Sequence, residues 1–84
     1  MDYEDKLYLL RKKQMDLRNE CNEYQGRKDL YERMSQMMTN FEVRSSQERF
    51  LLGDIHRLIN FFEQKIDIVL LKLRDVDLEF TQKN

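Results

Sequence analysis

The sequence predicts an all-α protein in which two long helices form an antiparallel helical hairpin that associates further into a four-helix bundle or coiled coil. The composition supports long helices, since the 84 residues include no Pro and only two Gly, and 37% of them are charged. Apolar residues recur at spacings of three and four along most of the chain, which is typical of a helix with one buried side. A polar segment near the middle separates two arms of similar length. The length fits a single domain over residues 1–84.

The first helix is predicted over about residues 3–41. Its apolar stripe is interrupted by Gln14 and Lys28, and Gly26 costs about 1 kcal/mol of helix propensity relative to Ala. The stripe is rich in Tyr and Met, and the flexible Met side chains in particular adapt to their surroundings. We therefore expect this helix to depend on a partner for its order. Its predicted interface residues are Leu10, Leu17, Tyr24, Tyr31, Met38 and Phe41.

The second helix is predicted over about residues 46–81, and its apolar 3-4 repeat is unbroken. β-branched residues occupy both core positions of this repeat, which disfavours a parallel two-stranded coiled coil. Other apolar residues lie outside the repeat, so we expect this helix to touch two or three neighbours. These are Leu51, Leu58 and Leu70 on the flanks, and Phe61, Ile68, Leu71 and Leu78 farther round. The predicted interface residues of the repeat itself are Leu52, Ile55, Ile59, Phe62, Ile66, Val69, Leu73, Val76 and Phe80.

The segment NFEVRSSQERF decides between a hairpin and one continuous helix. A polar turn is predicted over about residues 42–46, because residues 42–49 contain a single apolar side chain, Val43. Ser45 and Glu48 match the S-x-x-E capping box that begins a helix. The alternative is a continuous helix, which the absence of Gly and Pro and the unbroken heptad phase across the segment permit. The similar lengths of the two arms favour the hairpin.

The charge balance and the apolar runs argue against several classes of partner. Fifteen basic residues nearly balance 16 acidic ones, whereas non-specific nucleic-acid binding needs a basic surface. The longest apolar run, IDIVLLKL, is too short to span a bilayer, and the second arm lacks the Lys/Arg-rich face of a membrane-surface helix. The acidic start MDYEDKLYLL is unlike a secretory signal, and a single cysteine, Cys21, suits a reducing compartment. We therefore expect an intracellular, cytoplasmic protein that binds neither nucleic acid nor membranes.

The residues that catalysis or metal binding would need are scarce. His56 is the only histidine and Cys21 the only cysteine, and they lie on different arms. Metal sites usually draw on clustered His, Cys and carboxylates, and the chain contains no glycine-rich phosphate loop. We therefore predict a protein that is not an enzyme and that has no catalytic residues, no metal site and no cofactor.

The excess apolar surface of residues 50–80 predicts a protein–protein interaction protein. The leading hypothesis is a scaffold or adaptor module that forms a homo-oligomer, or co-assembles with another helical protein, through its helices. Core packing or a groove for a partner helix would both explain the residues near the end of the first arm. The aromatic and Met residues that exceed the needs of one narrow seam are Tyr3, Tyr8, Met15, Tyr24, Met34, Met37, Met38 and Phe41.

In size and layout the chain resembles the small helical-hairpin proteins of the WXG100 group and the helical partners of LXG toxins in type VII secretion. The resemblance covers the whole chain in architecture alone, because VRSS stands where that group has its W-x-G turn and the chain has no Trp. It implies a targeting chaperone or partner of a secreted protein. A third hypothesis is a small acidic inhibitor of phage type that occupies a partner's functional surface. Its acidic strip would be Asp75, Asp77 and Glu79.

Overall fold

The structure is a computed structural model that describes residues 3–40 and 45–81. Two α-helices, α1 (Tyr3–Asn40) and α2 (Ser46–Thr81), account for nearly all of these residues. The molecule measures 63 × 16 × 14 Å, and a 38-residue helix such as α1 alone is about 57 Å long at 1.5 Å per residue. Because α2 folds back along α1, the predicted all-α helical hairpin is confirmed and the continuous helix is wrong. Residues 41–44, which include Phe41 and most of the predicted turn, lie outside the described ranges.

Polar groups at its start stabilise the first turn of α2. The backbone N–H of Glu48 donates a hydrogen bond to Ser45 Oγ at 3.1 Å, and the backbone N–H of Arg49 donates to the Ser45 carbonyl at 3.2 Å. The first of these bonds is the one that the serine of a capping box makes, and it satisfies a backbone donor that no helical carbonyl can reach. The start of α2 is therefore determined by local sequence as well as by packing.

Three polar contacts show that the helices run antiparallel in one constant register. Successive contacts are separated by seven or fourteen residues on α1 and by the same number, in the opposite direction, on α2. A seven-residue period on both helices is typical of coiled-coil packing. The contacts are Ser35 Oγ with His56 Nε2 at 2.9 Å, Lys28 Nζ with Glu63 Oε1 at 3.5 Å, and Gln14 Nε2 with Asp77 Oδ1 at 2.7 Å.

The core lies in a single layer between the two helices. Toward the open end of the hairpin, where the chain begins and ends, Leu17, Val69 and Val76 form a buried cluster. Toward the closed end, where α1 is followed by α2, the core is aromatic. There the ring of Phe62 stacks on Tyr31 with centroids 5.8 Å apart and meets Tyr24 at 6.1 Å. With only one layer, each helix has a buried side and an exposed side.

Candidate interaction surface

The residues predicted from the sequence as interface residues lie mostly between α1 and α2. Of this set, Leu17 on α1 is buried, as are five residues of the α2 repeat. The others that the structure describes are half-buried, and Leu10, Tyr24, Leu73 and Phe80 pack against the buried cluster. The predicted interface is therefore largely used within the chain. The buried α2 residues are Ile55, Phe62, Ile66, Val69 and Val76, and the remaining half-buried ones are Leu52, Ile59, Tyr31 and Met38.

A second apolar row remains on α2 after the hairpin has formed. It consists of Phe61, Ile68, Leu71 and Leu78, here called the outer row, whose side chains are 48%, 47%, 60% and 50% exposed. At 3.6 residues per turn, these positions lie roughly 100–180° around the helix axis from the centre of the buried residues of the α2 repeat. The outer row therefore faces away from α1. Its spacings of seven, three and seven residues place it along one side of the helix.

Apolar residues on both borders widen this surface. Leu58 borders the outer row on one side and is 37% exposed, and Leu70 lies on the other side. Leu70 and Leu78 also line an open groove of about 430 Å³ beside the last turns of α2, which Arg18 of α1 and Arg74 border. Together these residues extend the exposed apolar surface of α2 over more than five helical turns.

Charged groups border the outer row without covering it. Lys65 folds its Nζ over the ring of Phe61, 5.3 Å from the centroid, which is a cation–π contact. Nearer the closed end, Arg57 Nη1 pairs with Asp54 Oδ1 at 3.0 Å. Gln64 and Asp75 occupy the two polar positions within the row's own 3-4 spacing, and both are exposed. An apolar strip bordered by charge is the usual anatomy of a binding surface.

The exposed apolar residues of α1 are distributed differently. Tyr24 and Met38, predicted among the adaptable contact residues, are half-buried against α2. Met34 and Met37 near the closed end are exposed, so the structure places Met38 but not its neighbours toward the core. The other exposed residues do not form a continuous row on one side of the helix. They are Tyr3, Tyr8, Leu9, Met15 and Leu30.

The titratable side chains of the described residues make ordinary helix-surface contacts. Tyr24 donates a hydrogen bond to Glu20 Oε1 at 3.2 Å, and this bond to the protonated phenol raises the pKa of Tyr24 above its usual value of 10.0. His56 bonds to Ser35, and Cys21 is a half-buried free thiol. Within residues 3–40 and 45–81, no three His, Cys, Asp or Glu side chains come together as metal ligands would.

Comparisons of the chain with protein-family models, with curated proteins and with solved structures found no match. Neither described helix is long and apolar enough to cross a membrane. The candidate site is therefore defined by the chain's own residues, and the outer row is its most distinctive feature.

Proposed function

We propose that the protein is a non-enzymatic interaction module, a scaffold or adaptor that self-associates or co-assembles with another helical protein through α2. The observation that carries this proposal is the outer row, Phe61, Ile68, Leu71 and Leu78, which stays about half exposed in the hairpin. A helix that is apolar on two sides is typical of one buried between two neighbours. The hairpin supplies one neighbour, α1, and the partner would supply the other.

The outer row contributes an apolar area of the size that association requires when the partner matches it. If a large apolar side chain has roughly 200 Å² of surface, four that are half exposed leave about 400 Å². Burying that area contributes about 10 kcal/mol at 25 cal/mol per Å². Association itself costs on the order of 4–15 kcal/mol, so this contribution alone does not guarantee tight binding. A partner with an apolar row of its own doubles the buried area and favours the complex.

We further propose an intracellular, cytoplasmic location. The single cysteine of the sequence, Cys21, is a half-buried free thiol that packs against the buried cluster. A free thiol in the core suits a reducing compartment, where no disulfide competes for it.

Charge substitution in the outer row tests the proposed function. Leu71→Lys places an ammonium group in the contact surface, and we expect it to abolish association while leaving the helical content unchanged, because Leu71 is 60% exposed in the hairpin. The matched control is Leu30→Lys, an equivalent change on α1 at a side chain that is 54% exposed. Molar mass from light scattering during size-exclusion chromatography, together with circular dichroism, measures both effects. Equal loss of association in the two variants would contradict a role for the outer row.

A further inference from the structure

We propose that the partner of the outer row is a second copy of this chain, with the two α2 helices packed antiparallel about a two-fold axis between Val69 and Leu70. This inference rests on the proposed function and names the partner. The two α2 helices lie at the centre of the resulting four-helix assembly, and the two α1 helices lie outside. Dimers with such two-fold symmetry are the commonest soluble oligomers, and they require a surface that is complementary to itself.

The spacing of the outer row makes it complementary to itself when reversed. The positions 61, 64, 68, 71, 75 and 78 alternate in steps of three and four, and the same steps recur in the opposite direction. With the axis between residues 69 and 70, Phe61 lies against the partner subunit's Leu78, and Ile68 lies against the partner subunit's Leu71. Every apolar residue of the row then meets an apolar residue, as in the core of an antiparallel coiled coil.

The polar positions of the row are matched by the same arrangement. Gln64 lies opposite the partner subunit's Asp75, so its amide N–H can donate to that carboxylate. A parallel arrangement would place each Asp75 against its own copy, and two carboxylates in one seam repel each other. The antiparallel direction therefore gives Asp75 a hydrogen-bond donor, whereas the parallel direction gives it a second carboxylate.

Along one border, the antiparallel arrangement brings opposite charges together. Asp67 comes close to the partner subunit's Arg74, and the two-fold axis repeats this pair. On the other border, Lys65 approaches the partner subunit's Lys72, which is unfavourable. Lys65 is half-buried and holds its ammonium over the ring of Phe61 at 5.3 Å, whereas Lys72 is exposed, and both side chains are long enough to keep their charges in water. A parallel pair would also bring opposite charges together along its borders, Asp67 with the partner subunit's Lys72 and Arg74 with the partner subunit's Glu79. The direction is therefore set in the seam, by the match of Gln64 with Asp75, and the two Asp67–Arg74 pairs are compatible with it.

The area of this surface fits a dimer of modest affinity. The outer row together with Leu58 and Leu70 leaves roughly 580 Å² of apolar side-chain surface on each subunit, using about 200 Å² per large side chain. Two copies bury roughly 1,160 Å², and the polar borders bring the total to the 1,200–2,000 Å² of specific interfaces. A partner with a smaller apolar surface would leave part of the outer row in water.

Distances between spin labels test the arrangement directly. In a Cys21→Ser background, single cysteines at the exposed positions Asn60, Lys72 and Thr81 each carry one nitroxide, and double electron–electron resonance measures the distance to the same label on the partner. At 1.5 Å per residue, the axial separations are about 28 Å for position 60, about 8 Å for position 72 and about 35 Å for position 81. We expect the distance to pass through a minimum at position 72.

Other geometries give other patterns and overturn the inference. A parallel α2 pair gives three similar short distances, and contact through α1 places two helices between the labels, so that even position 72 gives a long distance. A monomer at the highest soluble concentration also overturns it. The proposed function would survive that last outcome if a different helical protein bound the chain and Leu71→Lys, but not Leu30→Lys, abolished the binding. The proposed function fails as well if neither the complex between two copies nor a complex with another helical protein depends on the outer row.

Charge reversal provides an independent readout. Asp67→Arg and Arg74→Asp each replace two attractive pairs of the dimer with two repulsive ones, and we expect each to weaken dimerisation about tenfold. The double variant restores opposite charges and is expected to recover the dissociation constant to within about threefold of the original. Additive weakening in the double variant would show that these side chains do not face each other.

Discussion

Gln14 and Lys28 occupy positions where the 3-4 repeat of α1 would otherwise have apolar side chains. In the structure both are half-buried, and they reach across to carboxylates on α2. Gln14 donates to Asp77, and Lys28 lies between Glu63 at 3.5 Å and Glu32 of its own helix at 3.6 Å. The sequence could not reveal these partners, because identifying them requires the register of the two helices.

These cross-helix contacts contribute more to register than to stability. Glu63 is about half exposed, and pairs of this kind are worth roughly 0.2–1 kcal/mol. A slip of one heptad in either direction, however, would leave Lys28 facing His56 or Leu70 in place of Glu63. The polar edge of the interface therefore selects one antiparallel register among those that the apolar repeat permits.

Ser45 provides a test at the scale of one side chain. Ser45→Ala removes the hydroxyl that accepts the backbone N–H of Glu48 at 3.1 Å, and we expect it to lower the free energy of unfolding by about 1 kcal/mol. Urea unfolding followed by circular dichroism measures the change. Ser46→Ala, one residue further along, is the control and is expected to change stability by less than about 0.5 kcal/mol. If both variants lose the same stability, Ser45 is not the cap.

The two helices differ in how their polar and apolar residues are arranged. α1 has one apolar row with a largely polar row beside it, whereas α2 has an apolar row toward α1 and the outer row on the opposite side. Both helices could be predicted from the spacing of apolar residues, and so could the excess of apolar residues on α2. The sequence separated the 3-4 repeat from the apolar residues farther round α2, but it left open whether the repeat packs against α1 or against another chain.

The choice between a hairpin and a continuous helix was open for a physical reason. Arg, Gln and Glu in the central segment are good helix formers, and the heptad phase continues across it. Local preference therefore permits both structures. What distinguishes them is the burial of Ile55, Phe62 and Val69 against α1, which is a contact between residues distant in the sequence.

Gly26 gives a prediction for α1 as an element. A Cβ added at this exposed helical position meets nothing within 4 Å, and the residue does not have a positive φ. Gly26→Ala is therefore expected to raise the free energy of unfolding by about 0.5–1 kcal/mol, since Ala loses less backbone entropy on helix formation. Gln36→Ala, at another exposed position of α1, is the control and should change it little. A loss of stability in Gly26→Ala would contradict a regular helix at this point.

At the scale of the whole molecule, neither helix buries its apolar side without the other. Substitutions at two adjacent phenylalanines of α2 distinguish the loss of hairpin formation from the loss of association. Phe62→Asp removes a buried ring that contacts Tyr24 and Tyr31 and adds a carboxylate to the core, so we expect it to cost on the order of 5 kcal/mol and to unfold both helices together. Such a cost is comparable to the whole stability of a small domain.

Phe61→Asp is the matched control, because Phe61 belongs to the outer row and is 48% exposed. We expect this variant to keep its helical content and to lose association. Circular dichroism at 222 nm and molar mass, measured on the same samples, distinguish the two effects. Retained helicity in Phe62→Asp would show that the buried residues of the α2 repeat are not the core of the hairpin.

The antiparallel register also determines how the protein responds to force. Residues 3 and 81 lie at the same end of the hairpin, and the contacts follow one another from Gln14–Asp77 near that end to Ser35–His56 near the other. Tension applied to these two residues loads the contacts in succession. The contacts between the helices therefore break one after another from the open end of the hairpin, at low force. Tension applied to residue 3 and residue 45 acts along the axis of α1 instead and does not load the contacts between the helices one after another. Which contacts break first therefore depends on where the hairpin is tethered.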